Sequence, residues 1–545
     1  MKKMIIKNMM AAASVALVMG GSLTACVDLD LSPNNAPSEG NVWNSASMAE
    51  QTIAGVYNRL YEDYTADPNK GWFDMWSSIM DIDANWTAGY HFLHANNTPT
   101  SDFGSERWWK NYYSGILRAN DVITNLPTVA GISEAKKSRY VSECKFLRSW
   151  WYYRLNILYG GVPYYTEPVK SIDGAKKARS TQDEIWDYLI QDLTSCIDDP
   201  NLPNKYGADS EDYGHVTKGA AYALKSRAML YAKRWQDAYD AANNVIALKL
   251  YGLTDNYEDA WKGNNKEAIL EFDYDAANGP NHLFDRYYVP QCDGYDNGST
   301  GTPTQEMVEC YESKNGEKID WTPWHGITDE TPPYDQLEPR FAATVIYRGC
   351  TWKGKKMDCS LDGKNGVFMP YREQGTSYGK TTTGYFLRKL LDETLTDVKN
   401  GKSAQPWVEI RYAEVLLNKA EAAYRLNKIG EAQSAMNEVR ARVKVNLPGK
   451  SSTGEAWFKD YRNERKVELA YEGHLFWDMR RWELAHIEYN NYRTHGFKII
   501  GATNTYEYVD CDGQDRKFIK KLYVLPVPSE ELKNNSLIEQ YDEWK

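Results

Sequence analysis

Apolar residues recur at three- and four-residue steps through much of the first half of the chain. This spacing places them on one face of an α-helix, so it predicts amphipathic helices over residues 39–61, 107–125 and 133–159. The third helix is expected to stop at Gly160-Gly161-Val162-Pro163, where glycine and proline end the helical pattern. Ser180-Thr181-Gln182-Asp183-Glu184 is a capping box, which predicts that another helix starts there and ends near Cys196.

An internal repeat is the strongest architectural signal in the sequence. Two predicted helices, over residues 220–233 and 412–426, are rich in alanine, and each is followed by a short turn and a second helix. The second helices share small residues at identical steps: Ala238, Ala241, Asn243 and Val245 match Ala432, Ala435, Asn437 and Val439. Such spacing lets antiparallel helices approach closely, as in tetratricopeptide repeats. The predicted fold is therefore mostly α, a scaffold of tetratricopeptide-like helical hairpins.

The helical pattern breaks down over residues 273–405, which are crowded with Gly, Pro, Asn, Thr and isolated aromatic residues. Short strand-like runs occur at 342–348 and 384–389. Stretches of this length without helices are usually functional or disordered, and the many Trp and Tyr residues argue against disorder. We therefore predict a large loop-rich insertion with short strands, packed on the helical scaffold and suited to carry a binding surface.

The amino terminus predicts export and a lipid anchor. Three lysines precede an apolar run over residues 9–18, which is too short to span a bilayer. The run leads to Leu23-Thr24-Ala25-Cys26, which resembles the bacterial lipobox, where cleavage before the cysteine allows that residue to be acylated. The alternative is a simple signal peptide followed by an ordinary cysteine. We expect residues 1–25 to be removed and Cys26 to carry the lipid.

The charge and the aromatic content of the chain limit the kinds of ligand that are expected. The formal charge of −11 becomes −14 without residues 1–25, which hold three lysines and no acid, and no long basic run is present. Nucleic acid is therefore not an expected ligand. The chain has 19 Trp and 40 Tyr against 13 Phe, a preference for rings with a polar group that suits half-buried surfaces and binding sites.

Seven cysteines follow Cys26, and none has the CxxC spacing of a zinc site. Cys144 and Cys196 lie in helical patterns and are predicted to be small core residues. Four others lie in loop-rich sequence of an exported protein, where the sequence leaves open whether they form bridges: Cys292 with Cys310, and Cys350 with Cys359.

No catalytic or cofactor motif is complete. Residues 349–355 fit Gly-x-x-x-x-Gly-Lys, but Lys356 stands where a phosphate-binding loop needs Ser or Thr. His91 and His94 have no helical context and no third metal ligand at a fixed spacing. Acid pairs such as Asp81 with Asp83 do not reveal the separation that glycoside hydrolysis requires. We expect a binding protein without catalytic residues, metal or cofactor.

Two stretches combine aromatic rings with hydrogen-bonding side chains, the mixture that binds a sugar ring through its C–H face and its hydroxyls. The first spans residues 81–94 and the second residues 320–334. For each tryptophan the alternative is that the ring fills the junction between loop and scaffold. The candidate glycan-binding residues are Asp83, Asn85, Trp86, Tyr90, His91, Trp321, Trp324 and Tyr334.

Separated motifs along the chain closely resemble the SusD/RagB family of surface lipoproteins. They are RYAEVLLNKAEA at 411–422, NERKVELAYEGHLFWDMRRW at 463–482 and LPVP at 525–528, with FLR at 146–148, LYGGVP at 158–163 and RST at 179–181 upstream. The resemblance implies a tetratricopeptide-like scaffold with a loop-rich insertion. It also implies a lid over a SusC-like TonB-dependent outer-membrane transporter, to which the protein delivers glycans. Asp28 and Asp30 resemble the acidic flank that directs such lipoproteins of the Bacteroidetes to the cell surface.

The charged residues of the 463–482 motif are assigned to the scaffold, where we expect some of them in buried ion pairs. Peptide cargo, a surface glycoside hydrolase and a purely structural lipoprotein remain alternatives for the function. The expected organisation is a signal peptide at 1–25, a lipidated tether at 26–38, helical scaffold at 39–272, the insertion at 273–405 and a carboxy-terminal helical part at 406–545.

Overall fold

The computed structural model describes residues 42–63, 83–85 and 106–545, except 278, 280, 296, 297, 300, 371–378 and 512–514. The longer helices are α1 (Ala46–Asp63), α2 (Glu106–Asn125), α3 (Glu134–Tyr159), α4 (Gln182–Asp198), α5 (Lys218–Tyr231), α6 (Trp235–Ala247), α10 (Tyr412–Arg425), α11 (Ile429–Arg440) and α12 (Gly454–Glu468). The short ones are α7 (Phe284–Tyr288), α8 (Gln305–Val308), α9 (Pro339–Thr344), α13 (Leu475–Arg481), α14 (Ala485–Glu488) and α15 (Ser529–Asn534).

Thirteen short strands occur in the part of the chain that the structure describes, and they form small antiparallel sheets. They are β1 (Asp83–Asn85), β2 (Ala268–Phe272), β3 (Gly301–Pro303), β4 (Ile327–Thr328), β5 (Val345–Ile346), β6 (Thr351–Trp352), β7 (Lys355–Lys356), β8 (Phe386–Leu387), β9 (Trp407–Arg411), β10 (Asn490–Tyr492), β11 (His495–Ile500), β12 (Thr505–Asp510) and β13 (Arg516–Lys517). The pairs are β1–β3, β2–β9, β5–β8, β6–β7 and β10–β13, and β11, β12 and β4 form one three-stranded sheet.

Capping residues set the helix ends, largely as predicted. Gly160 ends α3 with a φ of 66°, a left-handed conformation that glycine adopts without a steric penalty. The capping box of Thr181 and Glu184 begins α4. The helix predicted over residues 39–61 begins only at Ala46, because the Ser45 side chain accepts the backbone N–H of Met48 and caps the helix there.

The helical scaffold is built by packing consecutive helices from α1 to α6 against one another, and then α6 against α10 across the insertion. The repeat predicted from small residues is confirmed as the hairpins α5–α6 and α10–α11, with its alanines buried between the helices. Close approach also occurs earlier, where Gly115 of α2 faces the fully buried indole of Trp151 on α3. Among the described helices, none is long and apolar enough to cross a membrane.

The insertion leaves and re-enters the scaffold at one place. Strands β2 and β9, which flank residues 273–405, pair antiparallel, and every residue of both strands is buried. The predicted strand at 342–348 is wrong in its first part: Pro339 to Thr344 form α9, since proline favours the first turn of a helix. Only Val345 and Ile346 form a strand, and they pair with Leu387 and Phe386.

Buried ion pairs fasten the insertion to the scaffold. Arg340 of α9 contacts Glu464 and Glu468 of α12 with N–O distances of 2.6 and 2.9 Å, and Arg411 contacts the same Glu468 at 2.7 Å. The connected set balances six acids with six bases: Glu267, Glu312, Glu338, Glu464, Glu468 and Glu472 with Arg340, Lys389, Arg411, Arg440, Arg442 and Lys450.

The scaffold role predicted for the charged residues of the 463–482 motif is confirmed for those that form buried ion pairs. Arg465 and Arg481 both contact Asp478, and Arg481 also contacts Glu421. All of these side chains are nearly excluded from solvent, so each charge needs its partner. The seven cysteines from Cys144 to Cys511 are free thiols in the structure, so the loop cysteines left open by the sequence form no bridge.

Candidate functional site

The loop that leads into β4 presents the aromatic residues of the second predicted stretch. Trp321 is buried, with an exposed fraction of 4%, and the half-buried Trp324 packs against it at 5.8 Å between ring centroids and 65° between planes. Trp324 Nε1 donates to the backbone oxygen of Glu330 at 3.1 Å. One indole therefore anchors the loop while the other reaches the surface.

Strand β4 joins this loop to the carboxy-terminal hairpin. Thr328 pairs with Tyr506 of β12, and the N–H of Tyr508 donates to the oxygen of Gly326 at 2.8 Å. The pairing brings the ring of His325 to 4.6 Å from that of Tyr508, and the imidazole of His495 stacks on Tyr508 at 4.4 Å. We call Trp324, His325, His495 and Tyr508 the aromatic surface.

Two carboxylates hold the histidines of the aromatic surface. His325 Nε2 lies 2.7 Å from Glu309 Oε1, and His495 Nδ1 lies 2.7 Å from Glu306 Oε1. Partial burial disfavours the charged imidazole of His495, but the hydrogen bond and charge of Glu306, with Asp510 and Glu309, raise its pKa above the ordinary value. The surface thus presents rings beside fixed hydrogen-bonding groups.

Part of the first predicted glycan-binding stretch, residues 81–94, lies beside the segment that carries these carboxylates. Asp83 to Asn85 form β1, which pairs with β3, and α8 with Glu306 begins two residues after β3 ends. The structure therefore brings the backbone of Asp83 and Asn85 next to the segment that carries the carboxylates. Trp86, Tyr90 and His91 lie outside the described residues, as does Cys26.

Trp321 and Tyr334 pack inside the insertion, so their ring faces are not available at the surface in this structure. The exposed fraction of Tyr334 is 5%, its hydroxyl lies 3.0 Å from that of Tyr385, and burial raises its pKa. Its ring stacks on Phe341 of α9 at 5.8 Å. Their burial therefore corrects the prediction that Trp321 and Tyr334 face a ligand. Both residues support the loop instead, because an irregular segment needs large buried rings to form its core.

Sequence reasoning missed His495, Tyr508 and the two glutamates. His495 and Tyr508 lie far from the 320–334 stretch along the chain and join it only through β4–β12 pairing, whereas Glu306 and Glu309 lie shortly before the stretch and are brought to the histidines by the position of α8. The alternation of His495, Phe497 and Ile499 in one strand signals a hairpin, yet it does not reveal which loop the hairpin meets. No sequence signal links these residues to Trp324.

A cavity of about 490 Å³ lies on the scaffold between α2, the segment after α3 and α15. Its lining includes Trp109, Tyr113 and Tyr165, but the two phenol groups already donate to the backbone oxygens of Pro163 and Ala175. We regard the aromatic surface as the stronger candidate for ligand binding, because it places the exposed His325 and the half-buried Trp324 next to the carboxylate of Glu309.

Residues 349–355, which resemble a phosphate-binding loop in sequence, contain a hairpin turn. Lys353 and Gly354 both have positive φ, 45° and 75°, and connect the paired strands β6 and β7. This is the geometry of a type I′ turn, which favours glycine. The glycine is therefore explained by the turn and does not indicate a nucleotide site. Within the described residues, no group of three or more His, Cys, Asp or Glu side chains is arranged to hold a metal ion.

Comparison with known proteins identifies the family. The family model described as the SusD family matches residues 266–544, which include the paired strands, the insertion and the ion-pair network. The chain belongs to the SusD family. A second SusD-like model, described as starch-binding and associating with the outer membrane, matches residues 29–230. These matches support carbohydrate binding and association with the outer membrane.

Relatives of this SusD-family chain share its length and fold. A SusD-like protein of Formosa agariphila is 22% identical over 85% of this chain and 90% of its own. A solved SusD-like protein of Bacteroides fragilis aligns with a TM-score of 0.79 at 25% identity, covering 93% of this chain and 98% of its own. A SusD-like carbohydrate-binding protein of the same species has a TM-score of 0.79 at 23% identity, covering 92% and 100%. The predicted mostly α, SusD-like fold is confirmed.

Proposed function

We propose that this SusD-family protein captures oligosaccharides or polysaccharides at the cell surface without catalysis. It holds them on the aromatic surface and delivers them to a SusC-like TonB-dependent transporter. Acylated Cys26 and the tether at 26–38 attach it to the outer membrane. The observation that carries the binding role is the grouping of Trp324, His325, His495 and Tyr508 beside Glu306 and Glu309.

The chemistry of the aromatic surface suits a sugar. A pyranose ring has an apolar C–H face that packs on an indole or phenol, while its hydroxyls need donors and acceptors at the edge. Trp324 offers part of an indole, and His325 with Glu309 offers both kinds of hydrogen-bonding group. Asp83 and Asn85, on the adjacent β1, are proposed to add polar contacts.

Expected affinities are modest. Two or three rings that each contribute about 1 kcal/mol beyond area burial, with hydrogen bonds that compete with water, give about 4 to 8 kcal/mol of binding free energy. This corresponds to dissociation constants between about 1 mM and 1 μM. Weak binding suits a protein that must release its ligand into a transporter.

Replacement of Trp324 tests the site. We expect Trp324→Ala to remove glycan binding measured by affinity electrophoresis or calorimetry, because the exposed ring face is lost. The melting temperature should stay within a few degrees, since Trp324 is only half-buried and Trp321 still anchors the loop. The matched control is Trp235→Ala, another half-buried tryptophan, which starts α6 on the scaffold and lies within 5.5 Å of Arg425.

An unchanged binding isotherm for Trp324→Ala, or equal loss in Trp235→Ala, would place the glycan elsewhere. A peptide library screened beside a glycan array separates the two kinds of cargo. Prolonged incubation with bound oligosaccharides tests catalysis, because a hydrolase would release products. Affinity purification from outer membranes tests the transporter, which we expect to be recovered with the wild-type protein.

A further inference from the structure

The aromatic surface lies beside acidic segments of the chain. Residues 305–309, which include α8, hold two acids and no base, and residues 320–337 hold four acids and no lysine or arginine. The lysine of the β11–β12 hairpin, Lys498, pairs with Glu507 on the face opposite His495 and Tyr508, because neighbouring residues of a strand point to opposite faces. That lysine therefore does not offset the acids at the aromatic surface.

The negative charge acts on the rings of the aromatic surface. Burial raises the pKa of Tyr508, and the charges of three carboxylates raise that pKa further: Glu306, Glu309 and Asp510. Partial burial lowers the pKa of His495, but the same three carboxylates raise it. The largest charge effects on both rings thus come from acids.

Among the described residues, bases at this surface offset only part of the negative charge. Glu306 is paired with His495. Arg493 lies 3.4 Å from Asp510, but it also contacts Asp515 at 3.0 Å. One guanidinium between two carboxylates leaves an excess of negative charge on this side of the hairpin.

Glu309 keeps one carboxylate oxygen available to a ligand. Gln305 Nε2 and His325 Nε2 both contact its Oε1, at 3.2 and 2.7 Å. None of the described residues donates a hydrogen bond to Oε2. The side chain of Glu309 is 26% exposed and that of His325 is 38% exposed. A ligand on the aromatic surface can therefore reach Oε2 without displacing His325.

Glu330 places a second carboxylate near Trp324. Its backbone oxygen accepts the indole N–H of Trp324 at 3.1 Å, and its side chain is exposed. Trp324 is half-buried, so part of its ring faces solvent. The face of an indole attracts a cation through its quadrupole, and a nearby carboxylate adds to that attraction. An anionic group at the same place would be repelled.

We propose that the aromatic surface prefers an amino sugar, a ring that carries an ammonium group, over neutral and acidic sugars. The C–H face of the ring packs on Trp324, and the ammonium donates to Oε2 of Glu309, with the charge of Glu330 adding to the attraction. The proposal rests on the proposed function, because it names the class of glycan held at that same surface. It makes Glu309 the residue that determines specificity.

The test is an array in which each glycan backbone occurs with a hydroxyl, a free amine and an N-acetylated amine at the same carbon, beside its carboxylated form. The best binders are titrated at pH 6.5, where a free amine is charged. We expect the amine form to bind about tenfold more tightly than the hydroxyl form, a difference of about 1.4 kcal/mol. N-acetylation should abolish the gain because it removes the charge. Raising the salt concentration should weaken binding of the amine form alone.

Two variants assign the preference to named side chains. Glu309→Gln and Glu330→Gln should each lower the ratio of amine to hydroxyl affinity, with the larger loss in Glu309→Gln. Glu330→Gln keeps the test decisive, since Glu309→Gln also changes the partner of His325. The matched control is Glu211→Gln, at an exposed acid in the segment between α4 and α5, which removes the same charge on the scaffold and should keep the ratio.

Equal affinity for the amine and hydroxyl forms in the wild-type protein would overturn the amino-sugar preference. A ratio that both Glu309→Gln and Glu330→Gln preserve, or that Glu211→Gln lowers equally, would also overturn it, as would tighter binding of the carboxylated forms. Lysine-containing peptides that bind as tightly as amino glycans would have the same consequence. If no glycan of any charge binds, the proposed function fails as well, whereas binding of neutral glycans without a gain from the amine rejects only the amino-sugar preference.

Discussion

At the scale of single residues, the stacked imidazole of His495 shows how a charge is kept beside an aromatic ring. Its Nδ1 contacts Glu306, its Nε2 lies 3.6 Å from Asp510, and Tyr508 covers one face. Because these acids raise the pKa of His495 in the folded protein, the charged form persists to a higher pH than in the unfolded chain.

The raised pKa of His495 predicts a pH-dependent contribution to stability. The contribution is fully present below the unfolded pKa of about 6.5 and is lost as pH rises through the folded pKa. We expect His495→Gln to lower the free energy of unfolding by up to about 1 kcal/mol at pH 6, the upper range for a partly exposed pair, and by less at pH 8.5. Urea unfolding at the two pH values measures the difference.

Glu306→Gln is the partner control for His495→Gln. It removes the main acid at the imidazole, so its destabilisation should fade over the same pH interval, and the double variant should cost less than the sum of the single variants. A loss of stability that is equal at pH 6 and pH 8.5 in both single variants would contradict the assigned charge pair.

At the scale of elements, small residues decide how closely helices pack. A Cβ atom at position 115 of α2 would lie 2.4 Å from Cε2 of Trp151, and that indole is fully buried on α3. Gly55 of α1 provides a contrast, because a Cβ atom there would meet no atom within 4 Å. Two glycines in helix interiors therefore have different structural roles.

Alanine at the two positions should have opposite effects. We expect Gly115→Ala to destabilise the protein by about 1 to 3 kcal/mol, because Trp151 or the helix must move. Gly55→Ala should stabilise it by about 0.5 to 1 kcal/mol, since alanine favours helix and the space is free. Chemical denaturation followed by circular dichroism measures both, and a destabilised Gly55→Ala would show that the two sites are not distinguished by packing.

At the scale of the whole molecule, the ion-pair network makes the insertion part of the scaffold. Arg340 and Lys389 enter it from the insertion, while Glu464, Glu468 and Glu472 come from the motif near the carboxy terminus. Because these charges are buried, removing one leaves its partners without compensation. The insertion is thus held on the helical body by buried charges.

Arg340→Met tests this attachment. We expect it to lower the free energy of unfolding by about 3 to 5 kcal/mol, because Glu338, Glu464 and Glu468 lose a shared buried partner. It should also expose the insertion to limited proteolysis. Lys136→Met, which breaks the exposed pair with Glu50, should cost no more than about 1 kcal/mol, and similar losses in the two variants would contradict a special role for the buried network.

Replacing the predicted acylation site tests the proposed tether. We expect Cys26→Ala to leave glycan binding of the purified protein intact, because the four residues that define the aromatic surface lie elsewhere in the chain. Glycan uptake by cells should be lost, since a protein without its lipid is no longer held at the outer membrane. Uptake at the wild-type rate by cells that carry Cys26→Ala would show that the anchor is not required.

The sequence by itself determined the repeat and most of the longer helices, because helix periodicity, caps and small-residue spacing are local patterns. The family motifs likewise lie within continuous segments such as 463–482. Only the tertiary structure decided that Tyr334 supports the loop while Trp324 reaches the surface. It also brought His495 and Tyr508 to that loop through β4–β12 pairing. Such contacts depend on packing between distant segments, which local spacing does not encode.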